Sequence, residues 1–576
     1  MLARFLTPLA ALALAACATL APTAAPPTSH IGQLDSVPVG SRGLVSAADP
    51  RAAAAGAAML RAGGSATDAA IATMLALTVV EPQSSGIGGG GFLVLGDDAG
   101  RVETLDGRET APMAANGQWF FRDGKPLSVP QAIPGGLSVG VPGNLRLAAE
   151  AHERHGKLPW RTLFGPAIAL AHEGFAITPR LYEVLDRFRG TGALDPEGKA
   201  LFYDAAGAPL PVGTVVRNRN LALTLTELST RGADSFYVGP NAQALSAGVR
   251  AAPVNPAPMA PGDLATYQAK WREPVCGVYR GYRICGMGPP SSGATTVLAI
   301  LEQLERFDLR ALGKDSPVAW HLIAESQRLA YADRERYLGD ADFVPVPVSG
   351  LVDPAYLAQR GALIAPDRTL AAAAPGNPPG GPIMREGVTA PEHGTSHFVA
   401  VDAKGNTASY TSTVESIFGS GLVVGGYYLN NELTDFSLVP TRDGHPVANR
   451  VEPGKRPRSS MSPTLIYGPD GSLRAAIGAA GGATIIVQVA KAIVGMLDWG
   501  LSAQDAIALP TLFAPADTVY VEQGTALEAL IPALKSLGHA KVEAREPSFK
   551  ANAIERVGNR WVGAADPRSE GAAVAE

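Results

Sequence analysis

The chain has 576 residues, of which 46% are apolar and 18% charged, and its formal net charge is −5. This composition is typical of a folded protein with a large core and excludes an intrinsically disordered one. The negative net charge and the lack of a long basic run argue against nucleic acid as a partner.

The first 17 residues predict a secretion signal. Arg4 precedes an apolar run that ends in Leu14-Ala15-Ala16-Cys17 and is too short for a permanent transmembrane helix. The last four residues resemble a bacterial lipoprotein box, in which Cys17 would carry the lipid. Residues 18–37 predict a flexible tether rich in Ala, Pro and Thr. We therefore expect a periplasmic protein anchored by lipid to the outer membrane, with ordinary signal cleavage near residues 21–24 as the alternative.

Two helices are predicted at the start of the mature chain. Asp49 supplies an N-cap before Pro50, and the alanine-rich helix that follows ends at Gly63-Gly64. The segment from Ser65 to Asp68 matches a capping box, which opens a second helix extending to about residue 80. Because this second helix is apolar around its circumference, we expect it to be buried.

Several common cofactor and catalytic motifs are either absent from the sequence or lie in the wrong structural context. Gly86–Gly91 matches G-x-G-x-x-G, but a helix precedes it and a strand follows it, which is the reverse of a dinucleotide site. The sequence contains no P-loop lysine, no HExxH and no G-x-S-x-G. It therefore predicts no cofactor and no metal.

The segment VCGVYRGYRIC predicts a β-hairpin with its turn at Arg280-Gly281. In that register Tyr279 faces Tyr282, and Cys276 faces Cys285 within reach of a disulfide. Export would permit the bond. Two buried free thiols are the alternative.

The middle of the chain alternates between helix and irregular structure. Residues 143–174 predict helix with a turn at 156–159, and His321 to Tyr337 predicts a long amphipathic helix. Residues 371–394 are rich in Pro and Gly and predict a disordered linker. Two alternating strands follow, at 396–402 and 406–413, joined by a tight turn at 403–405.

Thr395 occupies an unusual place, directly after Gly394 and at the start of a strand. A threonine hydroxyl is a weak nucleophile without a base beside it. Cleavage of the Gly394–Thr395 bond would supply that base, because the freed α-amine has a typical pKa of about 7.7–8.0. The hypothesis fits a residue that follows a linker and opens a strand, and a small Gly394 suits attack on the chain's own backbone. A polar strand start after a linker is the simpler interpretation.

Motifs in a fixed order extend this interpretation from about Gly43 to the end of the chain. They are GGSATDAAIATMLALTVVEPQSSGIGGGGF, LDGRETAP, YRGYRICGMGPPSSG, YADRERYLGDADF, GTSHFVAVDAKGNTASYTST, YYLNNELTDF, KRPRSSMSPT and ADPRSEGAA. Together they resemble the gamma-glutamyltransferase family, a branch of the N-terminal-nucleophile hydrolases.

The resemblance implies a role for each residue of the site. Thr395 would be the nucleophile that cleaves the chain after Gly394, and Thr413 would hydrogen-bond to it. Backbone N–H groups of Gly481 and Gly482 would form the oxyanion hole. The substrate would be held at its α-carboxylate by Arg108, Ser459 and Ser460, and at its α-ammonium by Glu415, Glu432 and Asp435.

The resemblance also implies an α/β fold, a four-layer αββα sandwich of the N-terminal-nucleophile hydrolase type formed by two fragments of one self-cleaved precursor. The large fragment would span 38–394 and the small catalytic fragment 395–576. The expected substrate is a γ-glutamyl amide such as glutathione, with water or an amino acid or peptide as acceptor. Membrane contact is expected only through the lipid anchor.

Two other functions stay open on the sequence. Some members of the wider group are glutaryl or cephalosporin acylases with the same nucleophile, although the acids at 415, 432 and 435 favour a substrate with an α-ammonium. A binding protein that does not process itself is the second. Residues 437–458 correspond to a lid in many relatives but contain no aromatic residue, which leaves the balance of hydrolysis and transfer open.

Overall fold

A computed structural model describes residues 36–38, 43–387, 394–546 and 550–576. The predicted signal, Cys17 and most of the predicted tether lie outside these ranges. Within them, no helix combines the length and the apolar character that crossing a membrane requires.

Two seven-stranded antiparallel sheets form the centre of the molecule. Sheet I contains, in spatial order, Ser36–Pro38, Arg560–Ala565, Lys550–Val557, Leu473–Ala480, Thr464–Tyr467, Tyr282–Gly286 and Val275–Tyr279. Sheet II contains, in spatial order, Ala572–Ala575, Leu44–Ala47, Ser396–Val401, Thr407–Thr413, Gly90–Gly96, Val102–Gly107 and Lys270–Arg272.

The two sheets pack face to face, and strand alternation explains how. In Ser396–Val401, Val399 and Val401 belong to the apolar core that also contains the residues of sheet I. Phe398 and Ala400 point to the opposite face and join the core under the first helices. The strand is therefore buried on both faces, as its uninterrupted burial shows.

Helices cover the outer face of each sheet. Those on sheet II include Pro50–Arg61, Ala66–Val80 and Asn144–His155, and Gly165–Glu173 packs against Ala66–Val80. Those on sheet I include Gly293–Leu304, Thr484–Leu497 and Ala503–Ala508, and Pro317–Tyr337 packs against Gly293–Leu304. The order helix, sheet, sheet, helix confirms the four-layer αββα sandwich.

Shorter helices and strands surround the four layers. The remaining α-helices are Val129–Ala132, Trp160–Leu163, Pro179–Arg187, Arg189–Gly192, Pro196–Phe202, Arg219–Arg231, Asp234–Tyr237, Pro240–Arg250, Pro261–Ala265, Leu309–Leu312, Val348–Leu351, Pro354–Gly361 and Ile531–Ser536, with 3₁₀ turns at Gly136–Ser138, Glu432–Asp435 and Glu528–Leu530. The minor strands are Phe121–Arg122, Lys125–Pro126, Phe175–Ala176, Val215–Val216, Val423–Val424, Tyr427–Tyr428, Thr441–Arg442, His445–Pro446, Leu512–Phe513, Thr518–Glu522 and Lys541–Arg545.

The helix-start signals of the sequence are confirmed. Asp49 accepts a hydrogen bond from the Arg51 backbone N–H and precedes the first helix. Ser65 and Asp68 form the expected reciprocal capping box, and the helix that follows, Ala66–Val80, is buried along its whole length.

The cysteine hairpin has the predicted register, with Tyr279 opposite Tyr282 and Cys276 opposite Cys285. The two cysteines are joined by a disulfide.

Residues 371–387 of the predicted linker run as irregular chain against the helix Pro317–Tyr337. The Gly376 N–H donates to Asp333 Oδ1 at 2.7 Å, and its carbonyl oxygen accepts from the Tyr337 hydroxyl at 2.7 Å. Glu386 forms an ion pair with Arg336. Residues 388–393 lie outside the described ranges, so the disorder of the linker as a whole stays a prediction.

Candidate active site

Thr395 immediately precedes the central strand Ser396–Val401 of sheet II, and its side chain is buried. Its hydroxyl contacts the carbonyl oxygen of Gly394 and lies 3.1 Å from Thr413 Oγ1. Thr413 Oγ1 donates to the same Gly394 carbonyl oxygen at 2.9 Å and accepts from the Glu415 N–H at 2.8 Å. The two threonines therefore converge on the peptide bond that precedes Thr395.

Gly394 is enclosed by the backbone that follows Thr413. An added Cβ at this position would lie 2.6 Å from the Glu415 carbonyl oxygen and 2.9 Å from that of Ser416. The Gly394 N–H donates to the Glu415 carbonyl oxygen at 2.6 Å. Glycine is thus required here because any side chain would collide with backbone atoms, which cannot move aside as a flexible side chain can.

Arg108 lies at the end of the strand Val102–Gly107 and is buried with two of the predicted ligand acids. Its guanidinium forms ion pairs with Glu432 and Asp435, both on the 3₁₀ turn Glu432–Asp435. It also donates from Nε to the Pro457 carbonyl oxygen at 3.1 Å and from Nη2 to that of Arg458 at 2.9 Å. In the uncut chain, the arginine expected at the α-carboxylate is therefore bound to two acids expected at the α-ammonium.

A third carboxyl group, that of Glu109, lies beside the two acids that pair with Arg108. In each of those two acids one carboxylate oxygen, Glu432 Oε2 or Asp435 Oδ1, accepts no hydrogen bond from the described residues. The same is true of both carboxylate oxygens of Glu109. Burial is the main cause that raises the pKa of Glu432, Asp435 and Glu109, with Glu109 reaching about 7. The positive charge of Arg108 acts in the opposite direction. The cluster is thus short of positive charge and of N–H donors.

Glu415 lies on the other side of Thr395. Its φ is +77°, in the left-handed region that a non-glycine residue rarely adopts. Its carboxylate accepts from the Ser416 hydroxyl at 2.5 Å and from the Asn431 side-chain amide. The predicted acid is therefore brought near Thr395 and is already hydrogen-bonded.

Ser459 and Ser460 follow Arg458, whose carbonyl oxygen accepts from Arg108. Ser459 Oγ accepts from the Met461 N–H at 3.2 Å, and Ser460 Oγ accepts from Arg334 Nη2 at 2.7 Å. Both serines are buried, so the two hydroxyls and a second arginine lie at the Arg108 end of the site.

Gly481 and Gly482 join the strand Leu473–Ala480 to the helix Thr484–Leu497, with φ values of +127° and +60°. The ladder pairs Ala480 with Lys550, whose Nζ lies 3.1 Å from Ser396 Oγ. The two glycines therefore lie at the same end of the sandwich as Thr395. Their positive φ values explain why both positions are glycine.

Several polar residues at this end were not identified from the sequence. Behind Thr395, the Glu81 carboxylate accepts from Ser396 Oγ at 2.6 Å and from Lys550 Nζ at 2.7 Å. Near Arg108, both Glu109 and Arg334 are buried beside predicted residues. The motifs LDGRETAP and YADRERYLGDADF contain Glu109 and Arg334, so the sequence offered a way to identify these two residues. Nothing in the sequence indicated that Glu81 and Lys550 form a pair.

The structure thus gathers the predicted residues at one end of the two stacked sheets. Gly90, opposite Thr413 in the ladder, lies so close to Glu109 that an added Cβ would meet its carboxylate. This contact connects the threonine pair to the Arg108 cluster. Cys276 and Cys285 lie in the last two strands at one edge of sheet I and form no part of the site.

The family model described as gamma-glutamyltranspeptidase matches residues 52–576. A glutathione hydrolase proenzyme of Bacillus subtilis (strain 168) is 35% identical, over 95% of this chain and 94% of that protein. An acylase ACY 1 proenzyme of Pseudomonas sp. (strain SE83) is also 35% identical, over 93% of this chain and 94% of that protein.

A solved structure supports the same relationship. The cephalosporin acylase from Bacillus halodurans superposes with a TM-score of 0.83 at 27% sequence identity, covering 96% of this chain and 98% of that one.

Proposed function

This chain belongs to the gamma-glutamyltranspeptidase family and is an enzyme of that family, and we propose that it cleaves its own Gly394–Thr395 bond and then hydrolyses γ-glutamyl amides such as glutathione. The observation that carries the proposal is the pair of threonine hydroxyls converging on the Gly394 carbonyl group, beside an acid cluster that is short of N–H donors.

Self-cleavage would proceed by attack of Thr395 Oγ1 on the carbonyl carbon of Gly394. The hydroxyl proton passes to the departing backbone nitrogen, so the peptide bond becomes an ester and the α-amine of Thr395 is freed. Thr413 Oγ1 polarises the carbonyl group by donating to its oxygen at 2.9 Å. Water then hydrolyses the ester and leaves a carboxylate on Gly394.

In the processed enzyme, Thr395 Oγ1 attacks the γ-carbonyl carbon of the substrate with its own α-amine as general base. The amine then returns the proton to the leaving amine, and an acyl-enzyme remains. Backbone N–H groups of Gly481 and Gly482 stabilise the oxyanion. Water releases glutamate from the acyl-enzyme, whereas an amino acid or peptide as acceptor would give transfer.

The acid cluster would recognise the amino-acid end of the substrate. An ammonium group offers three N–H donors, which suit Glu432 Oε2, Asp435 Oδ1 and the carboxylate of Glu415. The α-carboxylate is assigned to Arg108, Ser459 and Ser460. Because the substrate end carries both charges, it can replace the Arg108 ion pairs without leaving a buried charge unpaired.

Export is the third part of the proposal and rests on the sequence alone. Residues 1–17 act as a lipoprotein signal, Cys17 carries the lipid, and the enzyme works in the periplasm at the outer membrane. Labelling of the protein with a radioactive fatty acid in cells, compared with Cys17→Ala, tests the anchor.

The intact mass of the purified protein tests the central step. We expect two fragments in the wild type, with the smaller one running from Thr395 to Glu576, and a single chain in Thr395→Ala. Thr395→Ser is the matched control, since its hydroxyl should preserve cleavage at a lower rate. A single uncut chain in all three proteins would contradict self-processing.

An acylase with the same nucleophile is the second candidate, because an acylase proenzyme is as similar in sequence as a glutathione hydrolase. Rates on γ-glutamyl and glutaryl anilides discriminate the two, since the glutaryl group lacks only the α-ammonium. We expect a preference for the γ-glutamyl anilide of at least about 100-fold, the worth of one buried charged contact. Equal rates would favour the acylase.

A further inference from the structure

Two histidines and a glutamate meet in the layer of helices that covers sheet I. His321 and Glu325 lie one turn apart on the helix Pro317–Tyr337 and so share a face. His539 follows the helix Ile531–Ser536, and its ring packs edge-on against His321. All three side chains are buried, and one ligand atom from each lies within 4.8 Å of the other two.

The hydrogen bonds of this cluster show which ring nitrogens of the two neutral histidines carry hydrogen. His321 Nε2 lies 2.9 Å from the Ala365 carbonyl oxygen, which can only accept, so this nitrogen carries the hydrogen. His321 Nδ1 then presents a lone pair to His539 Nε2 at 2.8 Å. At the far side, His539 Nδ1 faces Glu325 Oε1 at 3.8 Å, which also only accepts. A distance of 3.8 Å is too long for a hydrogen bond, so two neutral imidazoles supply the two N–H groups that the close contacts need, and the lone pair of His539 Nδ1 faces the carboxylate.

Glu325 keeps an acceptor position free for a ligand. Its Oε1 accepts from Arg328 Nη1 at 2.7 Å and from Thr369 Oγ1 at 2.6 Å, which uses both lone pairs. Its Oε2 accepts from the Leu370 N–H at 2.7 Å, which uses one of two. The charge of Arg328 is balanced on its other side by Asp517, at 2.7 Å.

We propose that His321 Nδ1, His539 Nε2 and the Glu325 carboxylate bind a divalent transition-metal ion of the zinc class. Two imidazole nitrogens and one carboxylate oxygen form a donor set that suits Zn²⁺. In metal-binding histidines, the ring nitrogen that does not bind the metal usually contacts a backbone carbonyl or a carboxylate. His321 has the first of these contacts, with Ala365, and His539 has the second, with Glu325. The ion takes the place of the hydrogen that lies between the two facing ring nitrogens.

The geometry requires only a small adjustment. Nitrogens bound to one tetrahedral ion at about 2.1 Å lie about 3.4 Å apart, so the 2.8 Å between the rings would open by roughly half an ångström. The site would also connect distant parts of the chain, since His321 and His539 are 218 positions apart on opposite sides of Thr395. The sequence predicted no metal because the third ligand has no recognisable spacing.

Metal content tests the site in the full-length protein without a histidine tag. Protein is incubated with ZnCl₂, desalted and assayed for zinc, and its Tm is measured with and without the metal. His539→Ala removes one ligand, and His445→Ala is the matched control because His445 is exposed. In the wild type and in His445→Ala, we expect about one bound equivalent of zinc and a rise in Tm of about 3 °C. In His539→Ala, we expect no bound zinc and no change in Tm.

A measurement on the wild type alone protects against a variant that fails to fold. Co²⁺ in place of zinc should give the visible absorption of a four-coordinate site with nitrogen and oxygen ligands. Absence of this spectrum together with no retained zinc would overturn the proposal. So would a Tm that changes with pH but is the same with and without zinc, because a shared proton then accounts for the histidine pair.

Discussion

Glu109 illustrates how burial can dominate the chemistry of one side chain. It follows Arg108 in the sequence, yet the guanidinium pairs with Glu432 and Asp435. Neither Glu109 oxygen meets a donor among the described residues, and desolvation raises the pKa of the carboxyl group to about 7. The folded protein therefore holds a proton at a pH where an unfolded glutamate, with a pKa of about 4.3, has lost it.

Glu109→Gln should change how stability depends on pH. Between pH 4.5 and 7 the folded state binds a proton that the unfolded state releases, so this carboxyl makes the protein less stable as pH rises through that window. In a Thr395→Ala background, which keeps one uncut chain, we expect the Tm of the parent to fall more steeply from pH 5 to pH 8 than that of Glu109→Gln.

Glu543→Gln is the matched control for this experiment, because Glu543 is an exposed strand residue. Its Tm curve should run parallel to that of the parent. Parallel curves for Glu109→Gln as well would show that the Glu109 carboxyl is not the source of the pH dependence.

The first two helices show what determines the packing of an element. Gly56 lies in the middle of Pro50–Arg61, where alanine would normally favour the helix by about 1 kcal/mol. An added Cβ at Gly56, however, would lie 2.9 Å from the Ala69 carbonyl oxygen and would also meet Thr73 Oγ1 of the second helix. The glycine therefore permits the two helices to approach closely.

Gly56→Ala should consequently destabilise the protein despite the better helix propensity. Overpacking typically costs about 1–3 kcal/mol, so we expect a lower Tm in the Thr395→Ala background by differential scanning calorimetry. Gly248→Ala is the matched control, since Gly248 lies in the helix Pro240–Arg250 and its added Cβ would meet only Val424 at 3.4 Å. An equal rise in Tm for both variants would refute the close-packing argument.

At the scale of the whole molecule, strands from both sides of Thr395 alternate in the sheets. In sheet II, Leu44–Ala47 lies between Ala572–Ala575 and Ser396–Val401, while Thr407–Thr413 pairs with Gly90–Gly96. Sheet I likewise pairs Tyr282–Gly286 with Thr464–Tyr467. Cutting the chain before Thr395 breaks none of these ladders.

The two fragments should therefore stay together after cleavage. We expect the processed protein to elute from gel filtration at the volume of uncut Thr395→Ala, and to separate into two bands only in denaturant. Two peaks under native conditions would mean that the shared sheets do not hold the fragments together.

The sequence by itself determined the local structure of this protein. The caps at Asp49 and Ser65, the alternation in Ser396–Val401 and the register that places Cys276 opposite Cys285 were all predicted. Each depends on residues a few positions apart, whose geometry follows from helix and strand periodicity. The family resemblance added the four-layer fold and the set of candidate site residues, because ordered motifs carry information that periodicity lacks.

Only the tertiary structure decided how those residues are partnered. It paired Arg108 with Glu432 and Asp435, buried Glu109 where none of the described residues donates a hydrogen bond to it, and brought His321 to His539. These outcomes depend on desolvation and on distances between residues that lie hundreds of positions apart. Such quantities have no local signature in a sequence, because they are set by how the sheets and helices stack.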